Sequence, residues 1–90
     1  MTKTRINPTG VQFTLTSQGD KTLAKARGKE LLLDLPLDEL MQCWYNWQMK
    51  DELIQVAFSK LPANQREFLM TTITPTEWKE IFEGHRDVSY

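Results

Sequence analysis

The sequence predicts an α+β domain. A short antiparallel β-sheet of about three strands over residues 11–35 is followed by about four short packed helices over residues 37–83. Three observations carry that prediction. Apolar side chains recur at every second position between Val11 and Leu35. After Pro36 they recur at intervals of about 3.6 residues. And 90 residues, 40% hydrophobic and 26% charged, make one small globular domain.

The first ten residues, Met1 to Gly10, are polar, contain Pro8 and Gly10, and lack periodicity, which predicts a flexible N-terminal arm. Val11, Phe13 and Leu15 then alternate with Gln12, Thr14 and Thr16, the pattern of a half-buried strand. Ser17-Gln18-Gly19-Asp20 predicts a turn. Thr22, Ala24 and Ala26 alternate with Leu23, Lys25 and Arg27; Ala and Lys are weak strand formers, so residues 21–29 are open to strand or helix, and the meander favours strand. Gly28-Lys29 predicts a second turn, and Glu30 to Leu35 a third strand with Leu31, Leu33 and Leu35 on one side.

Leu37, Leu40, Met41, Trp44, Trp47 and Gln48 share one face of an amphipathic helix, with Asp38 and Glu39 where the helix dipole favours negative charge. Leu53, Ile54, Ala57, Phe58 and Leu61 form a second helical set ending at Pro62. Asn64-Gln65-Arg66-Glu67 has the spacing of a capping box ahead of a third helix carrying Phe68, Leu69 and Ile73. Thr74-Pro75-Thr76-Glu77 is a stronger start signal: a capping Thr, a Pro suited to the first helical position, and a Glu able to reach back. Trp78, Ile81 and Phe82 supply the apolar face of that fourth helix, and Gly84 is expected to stop it. The domain is thus expected over residues 11–84, with a tail over 85–90.

Composition narrows the function classes. The longest apolar run, Leu31-Leu32-Leu33, is far short of the roughly 20 residues of a membrane-spanning helix, and no secretory signal is evident in the first twenty residues. One cysteine excludes an internal disulfide and suits a cytoplasmic location. A domain this small has little room for a deep, preorganised substrate pocket. The only thiol and the only imidazole, Cys43 and His85, fall on an apolar helix and in the polar tail respectively. No Cys/His spacing, acidic cluster or Gly-rich phosphate loop is present. The sequence therefore predicts no enzyme, with no catalytic, cofactor-binding or metal-ligating residue and no cofactor.

Charge is uneven. Residues 1–30 carry six basic side chains against two acidic ones, a balance of +4, while residues 31–90 carry five against ten, a balance of −5. Lys21, Lys25, Arg27 and Lys29, with Phe13 on the neighbouring strand, form the basis for a nucleic-acid-associated reading. The same residues also serve simply to neutralise the acidic helical part. The richer signal is Trp44-Tyr45-Asn46-Trp47, in a chain with three tryptophans. Tyr45 points about 100° away from the Trp44 face, so Tyr45 and Met49, with Trp47, are the candidate protein-binding residues.

Ile54, Gln55 and Phe58, then Arg66-Glu67-Phe68-Leu69, then Thr74, Pro75, Glu77 and Trp78 form a pattern that resembles a motif in small uncharacterised bacteriophage-encoded proteins. The segment containing it, Trp47 to Phe82, is about 40% of the chain. Where that motif has a glycine after the Arg-Glu-Phe-Leu segment, Thr71 and Thr72 stand here. The resemblance implies a phage-type accessory protein that binds a host or virion protein, and it brings no catalytic residue. The functional expectation is a non-enzymatic protein-protein interaction module, an inhibitor or accessory factor, monomeric or a homodimer. The alternative is a nucleic-acid-associated protein.

Overall fold

Two-residue loops reverse the chain twice between Gln18 and Lys29. Gly19 takes φ +67° at the first, and Arg27 and Gly28 take φ +54° and +76° at the second. Left-handed backbone at both central positions of the second loop is the mirror-image turn that matches strand twist. The computed structural model describes the backbone of residues 1–88 and the side chains of residues 1–81. The strands are β1 (Thr2–Ile6), β2 (Gln12–Gln18), β3 (Lys21–Ala26) and β4 (Lys29–Leu33). They form one antiparallel meander in the order β1-β2-β3-β4. Helices α1 (Leu37–Met49), α2 (Ile54–Ala57), α3 (Ala63–Thr71) and α4 (Pro75–Val88) follow, so the fold is α+β.

The expected arm over residues 1–10 is instead the edge strand β1, which pairs Lys3 with Leu15 and Arg5 with Phe13. A three-residue loop, Pro8-Thr9-Gly10, closes this hairpin, with Gly10 at φ +90° and the Asn7 N–H donating to the Val11 carbonyl. β1 lacks an apolar face because it is an edge strand whose two faces carry Thr and Lys/Arg, so hydrophobic periodicity cannot reveal it. The middle strand forms as expected, and β4 forms but spans Lys29–Leu33 rather than Glu30 to Leu35, because the turn before it is Arg27-Gly28 and not Gly28-Lys29.

Phe13 and Leu15, Thr22, Ala24 and Ala26, and Leu33 face the helices and are buried. α1 lies over β2 and β3 and buries Leu37, Leu40, Trp44 and Trp47. Phe58, Leu61, Phe68 and Leu69 complete the core. Phe13, Trp44, Trp47, Phe58 and Phe68 meet edge-to-face with centroids 5.3–6.1 Å apart, the arrangement that ring quadrupoles favour. Among the described residues, no helix covers the opposite face of the sheet, with Thr2, Thr4, Thr14, Thr16, Leu23 and Lys25.

Asn7, in the β1–β2 corner, is 3% exposed. Its side-chain amide nitrogen donates to the carbonyls of Leu69 (2.9 Å) and Met70 (3.4 Å) in the last turn of α3. Its Oδ1 accepts from the Thr9 N–H, the Thr9 hydroxyl and the Val11 N–H. The last carbonyls of a helix have no intrahelical donor, so Asn7 caps α3 from the far end of the sequence.

Three helix boundaries depart from expectation. The second helical set shrinks to the single turn of α2, because Phe58 leaves helical geometry and Pro62 disfavours helix in the residue before it. α3 begins at Ala63 with no side-chain cap, which places Asn64 inside its first turn and removes the expected capping box. α4 runs through Gly84 to Val88, and so through part of the expected tail; a lone glycine costs a helix about 1 kcal/mol and does not break it. The capping box of α4 forms as expected: the Thr74 N–H donates to the Glu77 carboxylate at 3.0 Å and the Glu77 N–H to the Thr74 hydroxyl at 3.2 Å. Thr72, beside the glycine position of the resembled motif, ends α3 at φ +60°. The side chains of Phe82 and His85 lie outside the described residues.

Arg27 occupies a left-handed position better suited to Asn. Arg27→Asn should stabilise the domain by about 0.5–1 kcal/mol, read as a rise in the urea midpoint at unchanged slope. A fall in the midpoint would contradict the turn geometry.

Candidate functional site

α1 covers β2 and β3 but leaves β1 uncovered. Lys3 and Arg5 share the sheet face of Leu15 and Phe13, yet both are exposed, and a trough runs between β1 and the flank of α1. One cavity of about 370 Å³ lies at its Met1 end, lined by Lys3, Leu37, Asp38 and Met41 among others. A second of about 230 Å³ lies at its Ile6 end, lined by Arg5, Ile6, Met41, Tyr45, Gln48 and Met49 with part of Trp44. Met41 lines both, so the two adjoin at its side chain.

The second cavity gathers exposed apolar side chains. Tyr45 is 50% exposed, Met49 69% and Ile6 57%. Tyr45 stands on the flank of α1 because its neighbours Trp44 and Trp47 take the core face of that helix. Trp47, expected with them at the contact surface, is a core residue: it is 7% exposed and packs edge-to-face on Trp44 and Phe58. Its spacing from Trp44 puts it on the buried stripe, so it supports the site from below. The strand side of the trough was missed because residues 1–10 read as an arm. The alternation of Thr with Lys and Arg ahead of Asn-Pro-Thr-Gly is the signal that could have revealed it.

The four basic candidates do not form a common surface. Lys21 and Lys25 lie on the helix-free sheet face, Arg27 at a hairpin corner, and Lys29 opposite Ala26 on the helix side. Three of them are paired: Lys21 with Asp34 at 2.6 Å, Lys25 with Glu30 at 3.6 Å, and Lys29 with Glu77 at 2.8 Å. The hydrogen bond to Asp34 raises the Lys21 pKa, while the hydrogen bonds from Lys21 and Gln65 lower that of Asp34. Lys29, followed by the Thr74 N–H, holds Glu77 below the usual carboxylate range. By contrast, among the described residues Lys3 and Arg5 make no ion pair.

Cys43 is half-buried beside Glu39 and Lys60, and burial pushes its thiol pKa up. A nucleophilic cysteine needs the opposite shift. Among the described residues no group of three His, Cys, Asp or Glu side chains could hold a metal ion, and no helix is long and apolar enough to cross a membrane. No protein-family model matches the chain, and no curated protein or solved structure matches it.

Proposed function

We propose that this chain is a small, non-enzymatic protein-binding module that docks a protein partner in the cytoplasm through the trough between β1 and α1. The observation that carries the reading is the grouping of Tyr45, Met49 and Ile6, each at least half exposed, around one cavity with Arg5 and Gln48 at its rim. Single exposed apolar residues are ordinary, but an aromatic and a flexible thioether grouped around one concave site that also presents Arg5 and Gln48 match the anatomy of a contact centre. The resemblance to phage-encoded proteins supports a phage-type accessory protein acting on a host or virion protein. Pairing of Lys21, Lys25 and Lys29 with carboxylates weighs against the nucleic-acid alternative, since a phosphate would meet an acidic side chain beside each cation.

The test uses the intact chain as bait in its native cell extract after nuclease treatment, beside a Tyr45→Ala, Met49→Ala variant of verified fold. A specific protein retained by the wild type should fall at least tenfold with the variant, equivalent to about 1.4 kcal/mol or more at a contact centre. Equal retention by both chains, or loss of all retention on nuclease treatment, sinks the reading.

A further inference from the structure

The hydrogen-bonding phase of β1 shows which of its amides are free. The Ser17 N–H donates to the Met1 carbonyl, and the Asn7 N–H to the Val11 carbonyl. In an antiparallel ladder bonded pairs alternate with unbonded ones, so Met1, Lys3, Arg5 and Asn7 bond to β2. The N–H and C=O groups of Thr2, Thr4 and Ile6 therefore point outward from the sheet edge. Two of these carbonyls are held by side chains: Thr4 accepts from the Arg5 guanidinium at 2.8 Å and Ile6 from the Gln48 amide at 2.9 Å. These bonds cap two of the three outward carbonyls, and the amide of an arriving strand can replace either.

Charge selects the occupant. Lys3 and Arg5 stand about 7 Å apart along the strand, on the trough side and without ion pairs among the described residues. If a second copy paired antiparallel through β1 about Thr4, Lys3 of each chain would face Arg5 of the other, and like charges directly opposite are destabilising. An extended segment with acidic side chains at alternate positions instead places carboxylates opposite both cations. Asp38, the carboxylate in the trough, lies at the Lys3 end, which leaves Arg5 the stronger attraction.

We infer that the partner contributes an extended acidic segment that adds to β1 as a fifth strand, with alternate carboxylates read by Arg5 and Lys3 on the trough side, beside Tyr45 and Met49. This rests on the proposed protein-binding role and specifies how that contact is made. Arg5 then has two states: it caps its neighbour's carbonyl on the vacant edge, and on strand addition it turns to the incoming carboxylate. Main-chain bonding supplies attachment and the alternate side chains supply selection, the usual division in strand addition.

The test follows the ¹⁵N-labelled intact chain by NMR during titration with an end-capped seven-residue peptide of alternating glutamate and valine. Two controls accompany it: the same composition with the glutamates in one block, and alternating lysine and valine. The alternating acidic peptide should give saturable shifts along β1 and slow amide exchange at Thr2, Thr4 and Ile6. It should bind at least tenfold tighter than either control and weaken with salt. Arg5→Glu should reduce its affinity at least tenfold and Lys3→Glu by less. Thr4→Pro, which removes an outward donor while sparing the β1–β2 bonds, should abolish the amide protection.

Equal binding of all three peptides, or charge reversal without effect, overturns strand addition. So does protection of β1 that grows with chain concentration in the absence of peptide, which would assign the edge to a second copy. Shifts confined to Tyr45 and Met49, with β1 amides still exchanging freely, overturn it while leaving the protein-binding role standing. A cellular partner insensitive to Tyr45→Ala instead removes the role itself.

Discussion

Trp44→Ala should leave the domain at or near the edge of unfolding at 25 °C. The indole is 2% exposed and joins three layers, meeting Phe13 of the sheet at 5.7 Å, Trp47 of its own helix at 5.3 Å and Phe58 beyond α2 at 6.1 Å. Truncating a buried aromatic costs about 3–5 kcal/mol in lost transfer energy and residual cavity. A domain of this length has about 5–14 kcal/mol of stability in all. α2 cannot offset the loss, since a four-residue helix has no stability apart from its packing. Trp44→Phe, which keeps most of the ring volume, should recover at least half the loss. The adjacent Tyr45→Ala, at a half-exposed position, should stay within about 0.5–1 kcal/mol of wild type. Urea titration followed by far-ultraviolet circular dichroism reads all three. A Trp44→Ala midpoint equal to that of Tyr45→Ala would show that the aromatic cluster does not hold the sheet and helices together.

Asn7→Ala should cost about 2–4 kcal/mol, large for a polar residue in a hairpin corner. The substitution leaves the Val11 N–H and the Leu69 carbonyl buried without their side-chain partners. It also releases the β1–β2 corner from the end of α3, so β1 amides should exchange faster than those of β3. Asn7→Asp separates donor from acceptor. Its carboxylate keeps the acceptor toward Thr9 and Val11 but faces the Leu69 and Met70 carbonyls with negative charge in place of a donor. Asn7→Asp should therefore also lower the denaturation midpoint, because the Leu69 and Met70 carbonyls lose their donor while the contacts to Thr9 and Val11 persist. A denaturation midpoint unchanged in both variants would mean that the corner is held by its turn alone.

Much of the fold was legible because its signals are local or periodic. The alternation of Val11, Phe13 and Leu15, the small inward residues Thr22, Ala24 and Ala26, and the spacing of Leu37, Leu40, Trp44 and Trp47 each report one buried face. The reciprocal bonds between Thr74 and Glu77 need only four residues. β1 gave no such signal, because its trough-side residues are cations left uncovered by α1. Asn7 was equally silent, since its partners on Leu69 and Met70 lie 62 and 63 positions away.

The candidate site divides in the same way. Tyr45 and Met49 follow from helical spacing alone, because residues that cannot join the Trp44 stripe must face elsewhere. Trp47 lies on that same stripe, and its rings against Trp44 and Phe58 seal it in the core. The basic residues show the converse: sequence supplies Lys21, Lys25 and Lys29, and folding decides that each meets a carboxylate while Lys3 and Arg5 do not. Chain periodicity alone determined an α+β domain with a tyrosine outside its core. Tertiary structure decided where α1 crosses the sheet, and thereby which strand edge and which charges remain open to a partner, because a helix covers only part of a four-stranded face and nothing local to β1 records which part.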